Sequence, residues 1–126
     1  MNTELRSAIL EYVNANDHVT FAELHRRFES RFNLRGDYAF APGSFPTLIL
    51  WAGMSEEYCT ALQDLTSPDG PLVKVPCAPF VYMIDGQVLN MPVAKRAHTY
   101  KEDHWLPIVL RPRAKYEADE RKAGGR

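Results

Sequence analysis

With 126 residues, 45% of them apolar, and a net charge of −1, the chain has the size of one domain built on a single core. No stretch approaches the roughly 18 apolar residues that a membrane span needs, and Met1-Asn2-Thr3-Glu4 lacks a basic and then apolar leader, so a cytoplasmic protein without membrane contact is expected. Cys59 and Cys77 have no metal-ligand spacing with each other or with His18, His25, His98 and His104, so both read as reduced, structural thiols.

The first helix opens at Asn2 or Thr3, either of which can cap it. Leu5, Ile9, Leu10 and Val13 fall near one face, and Asn14-Ala15-Asn16-Asp17 breaks it. The clearest local signal follows at Val19-Thr20-Phe21-Ala22-Glu23-Leu24. Thr20 and Glu23 form a capping box, and Val19 with Leu24 forms the matching hydrophobic staple, so helix two begins near Phe21. Phe21, Leu24, Phe28 and Phe32 recur at helical spacing as an aromatic inward face. Arg26, Arg27, Glu29 and Arg31 are left to face water.

Asn33-Leu34-Arg35-Gly36-Asp37 and Ala41-Pro42-Gly43-Ser44 are loop chemistry. Between Pro46 and Gly53 the short apolar run Thr47-Leu48-Ile49-Leu50-Trp51-Ala52 has the length of a buried strand, although Ser44 ahead of Pro46 can also open a short helix. Trp51 reads as core in either case. Ser55 then caps a third helix whose first turn carries Glu56 and Glu57, where exposed N–H groups and the helix dipole favour negative charge. Tyr58, Ala61, Leu62 and Leu65 make one apolar stripe, and Ser67-Pro68-Asp69-Gly70 ends the helix. The run Leu72-Val73-Lys74-Val75 follows as a strand.

A Ser-capped helix that ends in Ala-Leu-x-x-Leu and leads through a glycine turn into a strand resembles the third helix and wing of a winged helix-turn-helix domain. The element order over residues 3–94 carries that resemblance. It implies an α+β fold, three helices packed on a small antiparallel sheet, with an insertion between helices two and three and a C-terminal extension. Two further strands are expected to complete the sheet, Phe80–Ile84 and Gln87–Met91, joined by Asp85-Gly86 as a tight hairpin turn. The uncharged Pro76-Cys77-Ala78-Pro79 and the acidic Asp85-Gly86 depart from a basic wing.

On this division the winged-helix-like domain spans residues 1–94 and a basic extension spans 95–126. Residues 1–94 carry six bases against eleven acids, a net −5, whereas 95–126 carry nine bases against five acids, a net +4. Such an extension suits an arm that binds phosphate, or one that lies on the acidic surface of its own chain or of a partner. Trp105–Leu110 is too apolar for solvent and is expected to return as an edge strand, where Pro107 is tolerated. From Tyr116 onward, a frayed helix or disorder is expected.

No phosphate loop, nucleophile elbow, metal-binding helix or dinucleotide fingerprint is present, so neither an enzyme nor a cofactor is expected. The resemblance implies a DNA-binding protein, a transcriptional regulator or other nucleic-acid-associated factor, whose third helix enters the major groove. Thr60, Gln63 and Ser67 then face the bases, with Gln63 able to pair with adenine. Because that helix has no Lys or Arg, phosphate contacts fall to Arg26, Arg27 and Arg31 on helix two and to Lys95, Arg96, Arg111, Arg113 and Lys115 of the extension. The other reading is a winged-helix module for protein contact, a subunit or adaptor, or a homodimer. It predicts an exposed apolar patch around Phe40, Phe45 or Tyr100.

Overall fold

The computed structural model describes residues 3–124. Helix α1 (Thr3–Asn16) buries Leu5, Ile9 and Val13 on one face. It stops because Asp17 and His18 turn left-handed, with φ of 55° and 48°. Val19 then forms a one-residue antiparallel bridge, exchanging both backbone bonds with Leu110 at 3.0 and 2.7 Å. The Thr20 hydroxyl caps α2 (Phe21–Phe28), accepting from the Glu23 N–H at 2.9 Å and donating to Asp85 at 2.6 Å. The Glu23 carboxylate accepts the Tyr12 hydroxyl at 2.5 Å, which ties α2 to α1.

The insertion between the second and third helices is a folded layer. Strand β1 (Arg35–Phe40) pairs antiparallel with β3 (Trp51–Met54) through an irregular register. The two-residue β2 (Leu48–Ile49) pairs parallel with β5 (His104–Trp105). The apolar run around Trp51 is therefore extended, and Trp51 is buried between Phe21, Tyr82 and Trp105, with ring centroids 6.0, 5.3 and 6.3 Å away.

Helix α3 (Glu56–Leu65) begins at Ser55, whose hydroxyl accepts from the Tyr58 N–H at 3.1 Å and donates to the Asn33 carbonyl at 2.8 Å. Tyr58, Cys59, Ala61, Leu62 and Leu65 are buried. The turn after α3 closes with the Gly70 N–H on the Ser67 carbonyl at 2.8 Å. Gly70 is required there by space, since a Cβ would collide with the Leu65 carbonyl.

The sheet expected after α3 forms from different residues. Strand β4 (Leu72–Pro76) pairs in a five-residue antiparallel register with β6 (Ile108–Pro112), not with Phe80–Ile84. Residues Pro79–Asp85 are helix α4 instead. Pro79 sits in its first turn, where a missing N–H costs nothing. Gly86, at φ 80°, is its left-handed C-cap and not half of a hairpin turn. Gln87–Met91 forms no strand, although Leu89 and Met91 pack on the core.

The expected edge strand at 105–110 is split between β5 and β6 around Pro107. Strand β6 is not an edge, for β4 lies on one side and Val19 on the other. It lies beyond Ala94 and is buried along its whole length. The last described element is α5 (Arg113–Gly124), which buries no side chain. The architecture is α+β, with five helices and three two-stranded sheets among the described residues.

Candidate interaction surfaces

Helices α3 and α4 offer side chains to solvent in opposite ways. Helix α3 turns its apolar stripe inward and leaves Glu56, Glu57, Thr60, Gln63 and Asp64 exposed, as its periodicity requires. Asp64 accepts the Arg6 Nε–H at 3.0 Å, so an α1 base lies on this face. Ser67 is only half-exposed, in the closing turn.

Helix α4 is held from beneath by Tyr82. Its fully buried ring packs 5.2 Å from Trp105, and its hydroxyl donates to the Ile108 carbonyl at 2.6 Å while accepting the Phe21 N–H at 3.1 Å. Phe21 starts α2, so that N–H has no partner within its own helix and Tyr82 supplies one. Burial is the largest reason that the Tyr82 hydroxyl is held well above its usual titration range. Phe80, Met83 and Ile84 point outward at 60, 65 and 72% exposure, and Val88 beyond the cap is also exposed. Their spacing of i, i+3 and i+4 makes this one apolar face.

The bases proposed from the sequence for phosphate contact are dispersed. Arg26 donates to the Asp85 carbonyl at 3.2 Å and lies 3.5 Å from its carboxylate, joining α2 to the end of α4. The Arg27 guanidinium lies over the rings of Tyr12 and Phe28, and that of Arg31 over Phe28 and Phe32. Lys95 and Arg96 are exposed in the irregular segment before β5. Lys115 donates to the Asn14 carbonyl at 3.2 Å.

Arg111 is withdrawn from any surface role: it is 8% exposed, grips both Asp17 oxygens at 3.0 Å, and donates to Asp119 at 2.7 Å. Its position inside β6 explains this, because a charge carried into the core needs carboxylate partners. The pairing also holds the Asp17 carboxyl below its usual range, chiefly through the Arg111 hydrogen bond. Arg113 donates to the Gly70 and Ser67 carbonyls at 2.5 and 3.3 Å, fastening the turn after α3. Of the proposed residues, the fold thus brings Ser67 and Arg113 into contact and gathers Arg27 and Arg31 around Phe28.

Of the apolar residues expected at a contact patch, Phe40 is buried and Phe45 and Tyr100 are half-buried. The α4 face was the surface that sequence reasoning missed. Pro79 near the start, Gly86 at the end and apolar residues at 80, 83 and 84 were its signal. Among the described residues, no group of three or more His, Cys, Asp or Glu side chains is placed to hold a metal ion. Compared with models of protein families, with curated proteins and with solved structures, the chain matches none.

Proposed function

We propose that this protein is a non-catalytic docking module that binds another protein through the outward face of α4. The observation that carries the reading is the presentation of Phe80, Met83 and Ile84 on one short helix whose opposite side is pinned by Tyr82. A rigidly mounted apolar face suits recognition, because little ordering entropy is lost when a partner covers it.

We infer in addition a winged-helix-like core, on the order of the elements. Three helices precede β4 and β6, and Val19, between α1 and α2, pairs with the far side of β6. On that comparison α4 occupies the wing's place in the chain, between β4 and β6. Where a strand hairpin was expected, this chain has an apolar helix.

The test is a comparison of the wild-type chain with Met83→Lys and Ile84→Lys variants in quantitative affinity capture from the host cell, with random duplex DNA titrated in parallel. A protein retained by the wild type, lost from both variants and identified by direct binding of the purified pair supports the proposal. Binding to both variants as strong as to the wild type would sink it.

DNA binding is the second reading, and the solvent-facing Thr60 and Gln63 of α3 favour it. It requires duplex binding that falls steeply with salt and is lost in a Gln63→Ala, Thr60→Ala double variant.

A further inference from the structure

A groove of about 710 Å³ runs between α1 and α2, away from α4. Its two walls carry opposite charge. Helix α1 contributes Glu4 and Glu11, while Arg27 of α2 and Arg31 just beyond it stand on the other side. Among the described residues, none of these four is in an ion pair. The two guanidiniums instead lie over the rings of Tyr12, Phe28 and Phe32, 5.1 to 6.0 Å from the ring centroids, contacts that use the ring faces and leave N–H groups for an incoming carboxylate.

The walls are held at a set distance by Tyr12, which bonds to Glu23 and packs edge-on against Phe28 at 5.8 Å. Ala8 and Ala15 also line the groove, so side chains from another surface meet little bulk on the α1 side.

An acidic wall beside a basic wall is self-complementary. A two-fold axis running along the groove places α1 of one copy against α2 of the other, and the same contact is made twice. We infer that this groove is the contact surface of a homodimer, in which Glu4 and Glu11 of each copy meet Arg27 and Arg31 of the second. A purely anionic ligand fits less well, since Glu4 and Glu11 would oppose it, and a purely cationic one meets the two arginines. The charge pattern that neutralises all four groups at once is the groove itself.

The experiment uses the full chain and two charge-reversed variants, Glu4→Lys with Glu11→Lys and Arg27→Glu with Arg31→Glu. Mass is measured by sedimentation equilibrium over a range of concentrations at low and high salt. The wild type is expected to dimerise, with a dissociation constant that rises about tenfold or more when salt is raised from ~0.05 to ~0.5 M. Each variant is expected to be monomeric by itself, because all its groove charges have one sign.

Mixing the two variants restores a 1:1 heterodimer, which also proves that both remain folded. An Ile84→Lys chain, altered on α4, dimerises as the wild type does. A wild type that stays monomeric at every concentration overturns the inference. So does a dimer that survives in both reversed variants, or a mixture of them that fails to associate while circular dichroism shows each to be helical.

Discussion

Helices α3 and α4 each rest on one buried tyrosine, yet they use it differently. Tyr58 is one of five buried residues on α3, whereas Tyr82 is the one buried residue of α4. The α3 stripe therefore stabilises the core and leaves a polar face. In α4 most of the apolar surface remains unburied, and the helix is held by one buried ring and its hydroxyl, with Asp85 at its end bonded to Thr20 and Arg26. Apolar side chains at helical spacing thus mark the inside of one helix and the outside of the other. The difference lies in what the chain has left to pack against them.

Removing the anchor tests this comparison most severely. Tyr82→Ala leaves a cavity beside Trp51 and Trp105 and is expected to cost about 3–5 kcal/mol, read by urea unfolding followed through tryptophan fluorescence. Tyr82→Phe keeps the ring but strands the Phe21 N–H and the Ile108 carbonyl, for about 1–3 kcal/mol. On α3, with its broader support, Leu62→Ala is expected to cost about 2–5 kcal/mol without releasing the helix. If hydrogen exchange shows α4 still protected in Tyr82→Ala, Tyr82 is not its main anchor and the bonds of Asp85 to Thr20 and Arg26 suffice.

Next in size is the buried charge on β6. Arg111→Met takes the guanidinium away from the half-buried Asp17, which keeps the His18 N–H, and is expected to cost about 3 kcal/mol by the same assay. Restoring about half of that loss with Asp17→Asn in the same chain would show that the stranded carboxylate is responsible.

Acid should reveal two groups in sequence. Burial, and then the Arg35 charge, hold His25 below its ordinary value of 6.5, although Glu29 opposes them. As pH falls below 6.5 the unfolded chain takes up this proton first. Stability should decline until the folded value is passed and then level off. Asp17 is held below its ordinary 3.8, so its contribution is complete above that value and is lost as pH falls through the folded one. Urea midpoints taken stepwise from pH ~8 to ~3 should fall in these two stages, and His25→Leu should remove the first.

Smaller effects separate folding from recognition. Ser55→Ala should cost about 1 kcal/mol, because the Tyr58 N–H and the Asn33 carbonyl both lose their partner. Ile84→Lys should shift stability by no more than about 0.5 kcal/mol, since the side chain is solvated already. If its midpoint falls by much more, α4 is packed against the body in solution and offers no open face.

Much of the chain as far as Gly70 was legible, apart from Arg35–Phe40, whose first residues read as loop and which form β1. Thr20 and Ser55 announce their helices because a hydroxyl one residue before an apolar stripe satisfies an N–H that the helix cannot. Trp51 read correctly as core because its flanks left no polar face. The second half misled where one pattern has two physical solutions. Phe80–Ile84 is five apolar residues, and Asp85-Gly86 tolerates positive φ in a helix cap as readily as in a hairpin turn. The dispersal of the arginines was not visible either. Arg111 and Arg113 are two residues apart, yet one is buried against Asp17 and the other fastens the turn at Gly70.

The sequence by itself determined the three capped or striped helices, the burial of Trp51 and the charge asymmetry between body and extension. Those depend on hydrogen bonds and periodicities spanning a few residues. Only the tertiary structure decided that the run around Trp51 is extended and that β4 takes β6 as its partner, more than thirty residues later in the chain. With that place in the sheet filled, Phe80–Ile84 had no strand beside it and satisfied its backbone as a helix, leaving Phe80, Met83 and Ile84 in water.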